Sequence, residues 1–291
     1  YFENTSSSYV GLFGYVSNPT IKNVGLVDSY IKGNEYVGGI AGYVSGSAQI
    51  TNCHNAATVY ANNNGDSDAG GICGCLGNAS ALVDNCYNTG YVSGYKEDVG
   101  GICGYQAYGR ITNSYNTGKV YSSAGNSTTN NAYAGGISGY MNNSASIANC
   151  YNTGNVEAYG KYAGGIAGYM YYSSNRVTNC YNLGSVKANQ NASGITAYRQ
   201  GTTTNNFALS GSVASCDGGT FATAEDFASG RVAYALNDSV SGGSRWRQNI
   251  GEDFYPVPDA THGFVYTNSP CPFSNDSVQP QAHVMVNGIC V

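Results

Sequence analysis

Apolar residues along most of this chain come in short runs of four to six, bounded by glycine, asparagine and serine. The runs recur as one two-part phrase. It reads Ala163-Gly164-Gly165-Ile166-Ala167-Gly168-Tyr169, then Val177-Thr178-Asn179-Cys180-Tyr181-Asn182. Earlier copies are centred on Gly39-Ile40, Gly71-Ile72, Gly101-Ile102 and Gly136-Ile137. Degenerate copies sit at Gly11-Leu12 and Gly194-Ile195, which makes seven, with steps of 28, 32, 30, 35, 29 and 29 residues. A steady period near 30 marks a stacked architecture, because one copy is too small to bury its own apolar face.

The phrase predicts strands and turns. Glycine, asparagine, serine and threonine are poor helix interiors, and short apolar runs between such residues read as strands. The expected fold is all-β: a parallel β-solenoid of about seven coils, each with two or three short strands. Equivalent residues of successive coils then lie about 4.8 Å apart and form rows. Ile40, Ile72, Ile102, Ile137, Ile166 and Ile195 make one interior row. Val59, Val92, Val120, Val156, Val186 and Val213 make another. Asn52, Asn85, Asn113, Asn149 and Asn179 are expected to form an amide ladder that satisfies buried turn backbone. Tyr43, Tyr105, Tyr140 and Tyr169 make one aromatic row; His54, Tyr87, Tyr115, Tyr151 and Tyr181 make a second. The glycine pairs serve either positive φ or close backbone approach.

The pattern divides the chain. Residues 1–35 hold a degenerate first coil, and 36–215 the regular array. Polar insertions at Ala61–Asp66, Ser122–Asn131 and Tyr171–Ser174 are expected to protrude from one face, where binding commonly resides. After Cys216 the grammar changes. Thr223 is a plausible N-cap for one helix running to Leu236, and Phe254–Val257 and Phe264–Tyr266 suggest short strands. Residues 216–268 thus read as a small C-terminal α/β cap over the last open β-edge, and 269–291 as a tail.

Only 10% of residues are charged and the net charge is −5, with no Lys/Arg run. This speaks against nucleic acid as a partner. No apolar run reaches the length of a membrane span. No signal peptide is visible, and an opening on Tyr1 in mid-repeat style suggests a mature protein or an excised fragment. Of ten cysteines, Cys53, Cys86, Cys150 and Cys180 share one repeat position, and Cys73 and Cys103 another. There they interchange with small residues, which is the behaviour of core thiols. Stacked cysteines come near bonding distance, but side chains in register point the same way.

The Val10-Gly11-Leu12-Phe13-Gly14 and Gly38-Gly39-Ile40-Ala41-Gly42 phrases resemble the GLUG repeat of bacterial surface proteins, over about 70% of the chain, residues 9–215. The segment with Trp246 and Tyr255-Pro256 resembles those that close such arrays in Gram-positive gut bacteria. The tail from Cys271 to Cys290 resembles a short Cys/His module cut before its last cysteine. The resemblance implies an extracellular, cell-surface or wall-attached location, adhesion, and no catalytic residues to carry over.

Candidate chemistry is sparse. Asp68 and Asp98 share a repeat position in adjacent coils, with Asp66 and Glu97 beside them. Stacked carboxylates about 5 Å apart repel, so they invite a cation or hold a proton. Three readings are open: a Ca²⁺ site on Asp66, Asp68, Glu97 and Asp98, a glycosidase or lyase pair on Asp68 and Asp98, or a solvated acidic patch. Tyr108, Tyr171 and Tyr172 are candidates for exposed ligand contact. His54 stands in a tyrosine row. His283, Cys271 and Cys290 offer three zinc ligands, against a Cys271–Cys290 disulfide or a disordered tail. The expected function is a non-enzymatic solenoid module that binds a host or environmental glycan or surface protein. A carbohydrate-active enzyme and a pure spacer are the alternatives.

Overall fold

A computed structural model describes residues 2–62, 67–123, 131–267, 273–275, 285–286 and 289–290. The chain divides into two compact units, Tyr1–Thr220 and Phe221–Val291.

The first unit is the expected parallel β-solenoid of about seven turns. One coil runs through strands Tyr36–Gly38, Ala41–Ser45, Gln49–Thr51, His54–Asn55 and Thr58–Ala61, and the next begins at Asp68–Gly70. Each strand pairs in parallel with its counterpart one coil away, as in Val59↔Val92 and Ile50↔Val83. The result is five parallel sheets of seven or eight strands among the described residues. Each coil thus has five strands rather than two or three. Strands of two or three residues are too short to display period-two alternation, so the sequence merges them.

The rows form as expected. Each row isoleucine from Ile40 to Ile195 is fully buried, and successive ones are linked by N–H to carbonyl bonds of 2.9–3.0 Å. The valine row begins at Ile31 and keeps register through Val186. Val213 packs on the same core without strand register. The glycine pairs answer to close approach. A Cβ on Gly101 would lie 2.1 Å from the carbonyl oxygen of Gly136 and 2.4 Å from Asn116 Cγ. Any side chain there would push two coils apart.

The asparagine expectation needs correcting. Asn52, Asn85, Asn113, Asn149 and Asn179 have φ of 48–56°, the left-handed region that asparagine tolerates better than most residues. Most of them are at least partly exposed, and their task is to turn the chain. Their own ladder is broken where Asn113 donates to Asp84 Oδ1 at 2.8 Å instead of to Asn85. The buried amide ladder is the second asparagine of the phrase: Asn55, Asn88, Asn116, Asn152 and Asn182, all fully buried. Each of the first four donates from Nδ2 to the next Oδ1 at 2.7–2.8 Å. The same Nδ2 reaches the carbonyl two residues on at 2.8–2.9 Å.

The insertions lie at two corners. The first two, Ala61–Asp66 and Ser122–Asn131, lie mostly outside the described residues; the described strands on either side of them are the fifth of one coil and the first of the next, ending at Ala61 and Ser122 and resuming at Asp68 and Ala132. Tyr171–Ser174 instead joins the second and third strands of its coil.

In the second unit the single expected helix is two, α1 Ala224–Ala228 and α2 Arg231–Leu236. Thr223 caps α1 through a reciprocal capping box with Asp226. Gly230, at φ 87°, breaks the run between them. Gln248 is buried and donates to the carbonyls of Phe227 and Ala228 at 2.8 and 3.1 Å, closing the end of α1. The two expected strands reduce to isolated bridges, Arg247↔Val257 and Tyr266↔Ser274. Phe254 is 82% exposed and has no sheet face to pack on. Asn237 clamps Trp246 from both sides, accepting from its N–H at 2.9 Å and donating to its carbonyl at 2.7 Å.

Candidate functional site

Two tyrosine rows run along the solenoid on either side of the Gly-Gly-Ile corner. The row at the second strand reads Tyr15, Tyr43, Cys75, Tyr105, Tyr140, Tyr169, Tyr198 in unbroken register. The row at the first strand escaped the sequence reading. It reads Tyr9, Tyr36, Asp68, and then Asp98, Tyr133, Tyr162, Asn191, with Ala69↔Val99 joining the two halves. Its signal was present two residues before each glycine pair, as in Tyr36-Val37-Gly38 and Tyr133-Ala134-Gly135. Asp68 and Asp98 therefore occupy tyrosine positions.

The rings of the two rows interleave. Centroids lie 5.4 Å apart for Tyr9–Tyr43 and 4.7 Å for Tyr133–Tyr169 across the rows, and 4.3 Å for Tyr169–Tyr198 within the second-strand row. Such offset and edge geometries are favourable for aromatic pairs. Tyr171 continues this strip, with its ring 6.0 Å from Tyr169, and Tyr172 meets Tyr171 edge-on at 4.8 Å. Tyr171 and Tyr172 are 41% and 44% exposed. Tyr108, 38% exposed, lies at the same kind of corner two coils earlier, between strands Cys103–Gln106 and Arg110–Thr112. The His54 row is different in character. Its rings stack at 4.8–5.1 Å, and Tyr181 is wholly buried, so this row packs.

The strip is interrupted where the acids replace rings. A hollow of about 400 Å³ opens there, with Asp68 and Asp98 in it, tyrosines 36, 105, 133 and 140 among its walls, and Glu97 also lining it. Both aspartates are deeply buried, at 4% and 5% exposure. Glu97 takes φ 64°, a conformation uncommon outside glycine and asparagine. Burial, with the charge of Asp98 behind it, raises the phenols of Tyr133 and Tyr140 well above the ordinary value. Burial and then Asp68 do the same to the Cys75 thiol. Among the described residues, no three of His, Cys, Asp and Glu gather in a way that could hold a metal ion. Asp66, from the expected calcium set, lies outside the described residues, as do Cys271 and His283; for Cys290 only the backbone is described.

The eight described cysteines with placed side chains are all free thiols. Cys73 and Cys103 are register partners, and the Cys53 N–H contacts Cys86 Sγ at 3.4 Å. Parallel stacking points both thiols of a pair in one direction, which is poor disulfide geometry. Burial raises the Cys103 and Cys150 thiols far above the usual range, so they remain protonated and inert.

Fold and site together define a parallel β-solenoid with an aromatic strip and an acidic gap in it. The family model of the GLUG motif matches at residues 33–60 and 97–121, which supports a GLUG repeat region. Each match spans about one coil. The fold is similar to a crystal structure described as a putative immunoglobulin A1 protease from Bacteroides ovatus, at 21% identity and a TM-score of 0.58, covering 84% of this chain and 75% of that one. No curated protein matches the sequence. No helix among the described residues is long and apolar enough to cross a membrane.

Proposed function

We propose that the chain is an extracellular, non-enzymatic module of a bacterial surface protein, which binds glycan or a surface protein through its tyrosine strip. The observation that carries this reading is the continuity of rings from Tyr133 and Tyr140 through Tyr169 to the exposed pair Tyr171 and Tyr172. Planar rings held on a rigid ladder offer apolar faces with hydroxyl edges at little entropic cost, a surface suited to sugar rings. GLUG matches and a β-solenoid neighbour are consistent with a surface module.

A glycan array with the wild type and a Tyr171→Ala/Tyr172→Ala variant tests it. The variant should lose binding while keeping the wild-type melting temperature, since both residues are exposed. Unchanged binding removes this site. Turnover in a polysaccharide screen that Asp98→Asn abolishes would replace the reading with the carbohydrate-active one.

A further inference from the structure

We propose that the corner bearing Tyr108, Tyr171 and Tyr172, together with the strands that follow it, binds an acidic glycan, a sugar chain carrying carboxylate or sulfate groups. This rests on the glycan reading above and names the class of glycan.

The arginines single out the place. The chain has six. Arg199 pairs with Asp217, Arg231 with Asp226 and Arg245 with Asp238, while Arg247 donates to the Ala260 carbonyl and lies over the Phe264 ring. The other two, Arg110 and Arg176, are exposed, and among the described residues their guanidinium groups make no hydrogen bond or ion pair. These two share one row. Arg110, Ser146 and Arg176 are register partners on three successive coils, which sets the arginine backbones about 10 Å apart by ladder spacing. Each follows an exposed tyrosine corner: Tyr108 stands two residues before Arg110, and Tyr171-Tyr172 lead into Arg176. The described strands of this third-strand sheet, from Thr20–Lys22 to Thr202–Thr204, carry the cations Lys22, Arg110 and Arg176 and one acid, Asp84. Asp84 is engaged by Thr112 Oγ1 at 2.6 Å and Asn113 Nδ2 at 2.8 Å. In a chain of net charge −5, this face is cationic.

The platform beneath is held by amides. Gln106, fully buried, donates from Nε2 to the carbonyls of Gly109 and Ser146 at 3.1 Å each, which pins the Tyr108 corner to the next coil. Asn175, also fully buried, donates to the Met141 carbonyl at 2.9 Å and accepts from the Ala145 N–H at 3.2 Å. It pins the Tyr171-Tyr172 corner to that same middle coil from the other side. Asn143 completes the set by donating to the Ala107 carbonyl at 3.0 Å. Rings and charges on three corners therefore keep their spacing before any ligand arrives, and preorganisation of this kind lowers the cost of binding.

The side chains then select the ligand. A guanidinium presents a planar fork of N–H donors that matches the paired oxygens of an oxyanion. The rings beside each fork offer apolar faces with hydroxyl edges for the sugar itself. Two such combinations, two rungs apart in one row, fit an oligosaccharide with acid groups on more than one of its units.

The test prints oligogalacturonate, sialyllactose and dextran sulfate beside their neutral parents, methyl-esterified oligogalacturonate, lactose and dextran, and probes them with the full chain at physiological ionic strength. At least one acidic member should bind more tightly than its neutral parent, and which one binds separates carboxylate from sulfate. Arg110→Gln/Arg176→Gln should weaken that binding by about fivefold or more, because it removes both charge-assisted contacts. Its melting temperature should match the wild type, since both side chains are exposed. Arg110→Lys/Arg176→Lys, which keeps the charge and loses the fork, should fall between the two. Binding of an acidic member that Arg110→Gln/Arg176→Gln leaves unchanged overturns the proposal. So does equal binding of acidic and neutral members, or binding of neutral members alone. In those two cases loss of the signal in Tyr171→Ala/Tyr172→Ala keeps the glycan reading standing. Absence of binding to every printed glycan overturns the proposal and removes the support for the glycan reading with it.

Discussion

Asn88 donates to Asn116 Oδ1 at 2.7 Å and, from the same nitrogen, to the carbonyl of Gly90 at 2.8 Å. One fully buried amide thus fastens its own turn and the next coil together. The pattern repeats from Asn55 to Asn182, so the amides form a continuous chain through the interior. Removing a link leaves a buried donor above it and a bare carbonyl beside it.

Asn116→Ala should therefore destabilise the solenoid by about 1–3 kcal/mol, the usual cost of orphaned buried polar groups. Asn113→Ala, one turn residue away and half-exposed, should act through backbone conformation instead. Asn113→Gly should then recover most of the loss, while Asn116→Gly should not. Urea midpoints of the four variants, followed by far-UV circular dichroism, check both halves.

The tyrosine strip should make the solenoid sensitive to alkali. Burial is the leading cause that raises Tyr43 and Tyr169 from 10.0 to about 12. The folded state holds those protons more tightly than the unfolded state. Their contribution is intact below pH 10 and is lost as pH rises from 10 to about 12. The circular-dichroism melting temperature should fall across that window. In Tyr43→Phe/Tyr169→Phe the fall should be shallower, and absorbance at 295 nm should lose part of the component that titrates near pH 12. Equal slopes would contradict the assignment.

The C-terminal unit should respond to acid. The Thr223 N–H, with its hydroxyl, lowers Asp226 below 3.8, and the Thr261 N–H and hydroxyl do the same for Asp259. With folded values below unfolded ones, their contribution is present above pH 3.8 and disappears as pH drops further. Trp246, the sole tryptophan and fully buried, reports this unit alone. Its emission-monitored melting temperature should decline in acid, and Asp226→Asn/Asp259→Asn should start lower near neutrality and decline less.

Much of the solenoid was legible because period and composition agree. The isoleucine and valine rows follow directly from stacking one phrase on the next, and Thr223 announces its cap through an acid three residues on. What escaped was of two kinds. Strand number failed because His54–Asn55 and its counterparts are two residues long, below the resolution of any hydrophobic period. The role of the asparagines failed because both Asn113 and Asn116 repeat equally well. Only the backbone shows that one bends the chain at φ 48° and the other is buried in the core. The helix break at Gly230 was written in the sequence, yet an isolated glycine does not by itself end a helix. The acidic gap was visible as a pair of aspartates. Its tyrosine context emerges only when Tyr36 and Tyr133 are seen to share a line with them.

Coil length varies from 28 to 35 residues while the second-strand tyrosine row keeps its register from Tyr15 to Tyr198. Two of the insertions that absorb the difference fall at the junction between the fifth strand and the next first strand, after Ala61 and after Ser122. That junction is a seam where material can be added with only a slow entropic penalty for loop growth. Evolution, or an engineer grafting a recognition peptide, could rewrite this edge of the rod while leaving its interior untouched.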